Sequence, residues 1–306
     1  MTRPAGESSP RLSVIIATFN RAEMLRCALR SVLLQQYIDF EVIVVGDRCT
    51  DDSAAVVAAT ADPRVQWMNR DVNCGSQWGP NNDGLTLARG EYVAFLGHDD
   101  LWLPWHLKTL VPLLDAGADL AHPIAAWLTP EGVVGVFGAP PKGESYATTF
   151  VPPSGWVARK HVLQVVGGFR DHQDLTVPTD LDLQRRLFRA GNRIVPAPRL
   201  SVLKFPSHQW RAYDAAAAVP QQSWIARLAA DAEGVERELL TAAVVALVKA
   251  TPHAGPRTAI ALAFRATLRW LRSLVDRDHG PFAPLLRARF RRWREVIRHR
   301  RGLSVK

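Results

Sequence analysis

The chain has 306 residues, 47% apolar and 22% charged, the balance of an ordinary soluble protein, with room for one large α/β domain and an appendage or for two domains. Its formal charge of +9 is uneven: from Val235 onward 16 Lys and Arg face 5 Asp and Glu, whereas the preceding residues hold 22 against 24. The basic character therefore belongs to the C-terminal part and excludes little about what the main domain binds.

Residues 1–11, MTRPAGESSPR, lack an apolar stretch and read as a loose tail, not a signal peptide. The most apolar later run, Leu239 to Val248, is about half the ~18 residues a membrane-spanning helix needs. Leu12 to Ala17 predicts a buried strand, followed by the polar turn Thr18-Phe19-Asn20-Arg21. From Ala22 to Gln36, residues Leu25, Ala28, Leu29, Val32 and Leu33 share one helical face. Phe40 to Val45 and Val65 to Met68 predict two more strands. A helix from about Ser53 to Ala61 lies between them, opening on the acidic turn Thr50-Asp51-Asp52. Such alternation argues for right-handed crossovers and a parallel sheet.

A loop over 73–82 leads to a short helix at 82–88 and then to the apolar strand Tyr92 to Leu96. A helix follows over 104–116. Leu120 to Leu128 and Val133 to Phe137 predict an antiparallel pair, and Gly138 to Thr149 a Pro/Gly-rich loop. Beyond it come a short strand at 155–157, helices at 160–166 and 179–190, and extended segments over 193–205. Residues 219–306 read as a helical, basic extension, and 12–218 as the main domain. Three cysteines, Cys27, Cys49 and Cys74, without CxxC spacing, argue against a disulfide framework and fit a reducing cytoplasm.

The chemistry concentrates where strand 92–96 ends in Gly97-His98-Asp99-Asp100. Ligands of open α/β sheets collect at the carboxyl ends of the strands. Two carboxylates there repel unless a cation such as Mg²⁺ or Mn²⁺ neutralises them; an acidic, helix-capping turn is the alternative. Asp47 ends the second strand at the same rim. A carboxylate only accepts hydrogen bonds, so it selects uracil, thymine or guanine, whose exposed edge carries a ring N–H. Neither GxGxxG nor GxxxxGK[ST] follows the first strand, which argues against dinucleotide and P-loop sites.

The segments VIIATFNRAEMLRCALRSVLLQQ, FEVIVVGDRCTDDS, NNDGLTLARGEYVAFLGHDDLWLP, GGF and TDLDLQRRLFRAG stand in one order across Arg11 to Phe205. Together they resemble the family 2 nucleotide-sugar glycosyltransferases of GT-A fold, which have a mixed, mostly parallel sheet flanked by helices. The resemblance implies an inverting transfer from a UDP-, dTDP- or GDP-sugar, with Mn²⁺ or Mg²⁺, to a glycan, lipid-linked or small-molecule acceptor. On the matching positions, Ala17, Thr18, Phe19, Asn20 and Asn82 would line the donor pocket and Asp47 would hold the base. Asp99 would bind ribose and, with Asp100 and His208, the metal. Asp180 would be the catalytic base, with Asp171 and Asp174 as runners-up.

This chain departs from the family pattern at three places. Gly97 stands where the first carboxylate of Asp-x-Asp-Asp is common, Thr179 where Glu is usual, and Asn81 where Arg is common. Thr179-x-x-Asp182 resembles a capping box. Lys204 reads as a solvated lysine or as a cation that neutralises the leaving phosphate, and Trp102, Trp105 and Trp156 could pack as core or stack on sugars. The basic helices suit either packing on the main domain or peripheral contact at the inner face of a membrane; no nucleic-acid motif is present. The rival readings are a non-catalytic nucleotide-sugar-binding protein and a sugar nucleotidyltransferase.

Overall fold

In the computed structural model, residues 9–138, 146–147, 149–207, 209–210, 219–250 and 295–296 are described. Successive side chains of a strand point to opposite faces, and the first strand, β1 (Leu12–Thr18), feeds two cores in this way. Leu12, Val14 and Ile16 pack with Leu25, Leu29 and Val32 of the helix α1 (Ala22–Leu33). Ile15 instead joins Ile43, Val93, Phe95 and Leu85 on the other face. The uninterrupted apolar run, with no polar alternation, follows from burial on both sides.

β2 (Phe40–Gly46), β3 (Val65–Asn69) and β4 (Tyr92–Gly97) run parallel to β1 in the order β3-β2-β1-β4. The crossovers are α1, the short α2 (Ser53–Ala58) and α3 (Trp78–Leu87). The helix α3 begins four residues before the predicted start. Pro80 falls in its first turn, where a missing N–H costs nothing, and Gln77 O already accepts from Asn81 N. Gly84 lets this helix approach β1, since a Cβ there would lie 2.5 Å from Ile15 Cγ2.

β5 (Leu101–Trp102) is too short to show a period in sequence and had no predicted counterpart. After α4 (His106–Asp115) come β6 (Leu120–Thr129) and β7 (Gly132–Phe137), the expected antiparallel pair. The strand predicted at 155–157 is displaced. Pro152 and Pro153 lead into a 3-10 turn, Pro153–Gly155, and the strand β8 is Val157–Arg159. α5 (Lys160–Val165), α6 (Thr179–Arg189) and β9 (Ile194–Lys204) follow. The nine-stranded sheet continues β4-β8-β6-β9-β5, with β7 on β6. It is therefore mixed but mostly parallel, with helices on both faces.

The final described element, α7 (Gln221–Ala250), kinks at Asp231. Ile225, Leu228, Val235 and Leu239 enter one cluster with Leu101, Leu103, Trp105, Leu203 and Phe205. Each such side chain contributes on the order of 1.5–3 kcal/mol when fully buried, so the start of the extension is part of the main core. Among the described residues no helix is long and apolar enough to cross a membrane. Residues 1–8 of the predicted tail 1–11, most of the loop 138–149 and the basic segment after 250, apart from 295–296, lie outside the described residues.

Candidate active site

β4 delivers Gly97-His98-Asp99-Asp100 to the rim of the sheet, and His98 Nδ1 lies 3.2 Å from Ala17 O at the end of β1. A Cβ on residue 97 would stand 2.8 Å from Asp99 Oδ1 and 3.1 Å from Asp100 Oδ2. The missing carboxylate is thus space that its two neighbours occupy. Asp100 is fully buried. Its Oδ2 accepts from Ser154 Oγ and, at 2.6 Å, from Lys204 Nζ, and its Oδ1 accepts from Phe205 N at 3.0 Å. Burial pushes the Asp100 carboxyl up to about 6 against the pull of Lys204. For Lys204, burial opposes the charge, but Asp100, Asp99 and Asp180 outweigh it and hold the ammonium above the ordinary lysine value.

Asp100, the expected metal ligand, is held by Lys204, Ser154 and the backbone N–H of Phe205. Asp99 remains half-exposed, its carbonyl accepting from Gln221 Nε2 of α7 at 2.8 Å. Among the described residues no group of three His, Cys, Asp or Glu side chains converges, and His208 lies outside them. What the residues fit is an open site. One carboxylate, Asp99, is accessible to a hard cation that would draw its other oxygens from substrate phosphates and water.

On the nucleoside side, Ala17, Phe19 and Asn20 are half-buried at the end of β1. Thr18 is 2% exposed, and its hydroxyl finds no hydrogen-bond partner among the described residues. Buried hydroxyls are normally paired, so this one is available to a ligand. Asn20 has φ +47 and bonds Thr50 N at 2.8 Å, fixing the turn against the loop after β2.

Asp47 differs from expectation. Its Oδ1 accepts from Arg70 Nη1 at 2.9 Å and Cys74 N at 3.0 Å, and its Oδ2 from Gly75 N at 3.2 Å and the Cys74 thiol at 3.6 Å. The thiol lies closer to Ser76 O, at 3.0 Å, so three N–H donors hold this carboxylate and fold the loop 73–75 around it. Arg70, which also bonds Asp83 at 2.6 Å, was missed in sequence because nothing local distinguishes it from a solvated arginine after β3.

Asn82 also differs. Its amide donates to Phe169 O at 2.7 Å and accepts from Phe169 N at 2.9 Å, which anchors the Gly167-Gly168-Phe169 turn. Gly168, at φ +62, brings its Cα so near that a Cβ would stand 2.6 Å from the Asn82 oxygen.

Asp180 sits in the first turn of α6. Its Oδ1 accepts from Leu181 N at 2.9 Å and its Oδ2 from Gln77 Nε2 at 3.2 Å, and burial raises its pKa. The predicted capping box is absent: Thr179 Oγ1 donates to Arg170 O and Asp182 pairs with Arg186 at 2.8 Å. Asp171 bonds Gln173 N, capping the 3-10 turn His172–Asp174 that also carries Asp174. Trp102, Trp105 and Trp156 are all core, each indole N–H bonding a backbone carbonyl.

Asp47, Asp99 and Asp180 do not scatter. The loop 73–77 joins the first to the third through Gln77, and Lys204 feels Asp99, Asp100 and Asp180 together. The mixed, mostly parallel sheet flanked by helices is a GT-A-like α/β fold. Residues 13–127 match the family model described as Glycosyl transferase family 2.

Over 122 residues the chain is 37% identical to the succinoglycan biosynthesis protein ExoO of Rhizobium meliloti, a match covering 40% of this chain and 35% of that protein. Over 113 residues it is 39% identical to the GalNAc(5)-diNAcBac-PP-undecaprenol beta-1,3-glucosyltransferase of Campylobacter jejuni, covering 35% and 36%. The chain thus spans about a third of the length of these curated relatives. Its fold is similar to that of S. aureus TarS 1-349, solved in complex with UDP-GlcNAc. The TM-score is 0.58 at 20% identity, over 97% of this chain and 93% of that one.

Proposed function

We propose that this chain transfers a sugar from a nucleoside diphosphate donor to a hydroxyl acceptor, inverting the anomeric centre in one displacement. The observation that carries the reading is the position of Lys204, which pairs with Asp100 at 2.6 Å and whose charge Asp99 and Asp180 also favour. Carboxylates from the β4 rim and from α6 are therefore within electrostatic reach of one ammonium. The acceptor oxygen attacks the anomeric carbon, the bond from that carbon to the phosphate oxygen breaks, and the acceptor proton passes to Asp180. A carboxylate whose pKa is raised by burial is a better base than a solvated one.

Thr18, with Ala17, Phe19 and Asn20, takes the nucleoside side, and Asp47 shapes that pocket by holding the loop 73–75. Asp47 would read a uracil, thymine or guanine ring N–H through Oδ2, which accepts from one N–H, that of Gly75. Mn²⁺ or Mg²⁺ at Asp99 would supply Lewis-acid neutralisation of the leaving diphosphate. The Campylobacter jejuni relative is named for an undecaprenol-linked substrate, and a glycan or lipid-linked hydroxyl is the acceptor class proposed here. The basic residues after 250 would then serve as a peripheral contact with the inner face of the membrane, making the protein cytoplasmic.

The test is a thermal-shift screen of UDP, dTDP, GDP, ADP and CDP with and without Mn²⁺, followed by assays of nucleoside diphosphate release from the matching sugars. Stabilisation by UDP, dTDP or GDP with release of the diphosphate supports the reading. Stabilisation by ADP or CDP alone contradicts it. Binding without any release favours a non-catalytic nucleotide-sugar-binding protein, the alternative that Gly97 raises.

A further inference from the structure

Gln77 links two parts of the site that lie 103 residues apart in sequence. On one side it ends the loop that encloses Asp47. Asn73 Nδ2 donates to Asp47 O at 2.7 Å, and Cys74 N and Gly75 N donate to its carboxylate. Gly75, at φ +73, makes the turn that aims both amides inward. On the other side, Gln77 Nε2 donates to Asp180 Oδ2 at 3.2 Å. Since Asp180 Oδ1 is already held by Leu181 N, the carboxylate is fixed at both oxygens. An amide donor cannot take the proton that Asp180 would receive, so its effect is on orientation and ionisation.

We propose that Gln77 is a positioning residue, which orients the Asp180 carboxylate toward the acceptor hydroxyl and ties that orientation to the loop on the nucleotide side. The proposal rests on the reading of Asp180 as the base. Burial disfavours the ionised carboxylate, whereas the hydrogen bonds from Leu181 N and Gln77 favour it, as does the charge of Lys204 reaching it from β9. Removing the Gln77 donor removes one of the supports of the ionised form, so the carboxyl holds its proton to higher pH.

The experiment compares full-length wild type, Gln77→Leu, Gln77→Glu and Asp180→Asn. Asp180 is titrated by carboxyl ¹³C NMR, its resonance assigned by loss in Asp180→Asn. Nucleoside diphosphate release is followed across pH with whichever of UDP-glucose, UDP-N-acetylglucosamine, dTDP-glucose and GDP-mannose the wild type cleaves. In Gln77→Leu the Asp180 midpoint is expected to rise by about one pH unit, the acidic limb of kcat to move with it, and kcat below that limb to fall about tenfold. KM for the donor should change by less than about threefold, since the loop's contacts with Asp47 remain.

Gln77→Glu, which keeps the size of the side chain and places a second carboxylate beside Asp180, should raise the midpoint further; it carries the test if Gln77→Leu does not fold. An unchanged midpoint in a folded variant overturns the proposal. If Asp180→Asn retains full release, the assignment of the base fails and the proposal with it. If Asp180→Asn abolishes release while Gln77→Leu moves neither midpoint nor limb, the proposal alone fails.

Discussion

Lys204 Nζ lies 2.6 Å from Asp100 Oδ2, and the Asp100 side chain has no exposure to solvent. Breaking such a pair by removing one partner leaves the other charge buried and uncompensated. Lys204→Met is therefore expected to cost about 3–5 kcal/mol, measured by urea unfolding. Removing both charges in Lys204→Met/Asp100→Asn should recover much of that loss. A double variant no more stable than Lys204→Met would show that the pair is not the source of the effect.

Asn82 gives a second expectation, one on which a structural role and a donor-binding role disagree. Its amide closes two hydrogen bonds with the backbone of Phe169. Asn82→Leu should lower stability by about 1–3 kcal/mol through the unpaired peptide groups it leaves. Nucleotide affinity measured by calorimetry on the folded variant should stay within a few-fold of wild type. A large loss of affinity without a loss of stability would return Asn82 to the donor pocket.

Two buried histidines set the acid side of the stability curve. Burial holds His106 down to about 3 and His122 down to about 4. His106 stacks on Trp102 and bonds Ser201, while His122 bonds the Tyr146 hydroxyl at 2.8 Å. The unfolded state takes up protons near pH 6.5 that the folded state refuses. Their contribution is thus fully present above about pH 6.5 and is lost as pH falls toward 4 and then 3. Each histidine steepens the decline by about 1.4 kcal/mol per pH unit while only the unfolded state is protonated. His106→Asn should flatten unfolding free energy against pH between 6 and 4; an unchanged slope would contradict the assignment.

The parallel half of the sheet was legible because β1, β2 and β4 are buried on both faces and their apolar runs leave no other reading. β5 was not legible, since two residues carry no period and their pairing with β9 is set a hundred residues away. Among the expected site residues, Thr18 ends β1, Asp99 follows β4, and Asp180 is joined to the loop after β3 through Gln77. What sequence could not show is which carboxylates are already occupied. Asp47 and Asp100 have the right chemistry in the right places, yet Arg70 and Lys204 reach them from other strands or strand ends. The same limit hid Gln77, whose partner lies on another element.

The central claim is that Asp180 removes the proton from the incoming hydroxyl while the rest of the rim holds the donor. The most direct measurement pairs nucleoside diphosphate release with calorimetric nucleotide binding in Asp180→Asn. The account predicts release lower by at least about a hundredfold, the usual scale of a lost general base, with nucleotide affinity retained. Release at the wild-type rate in a variant that binds nucleotide normally would contradict it.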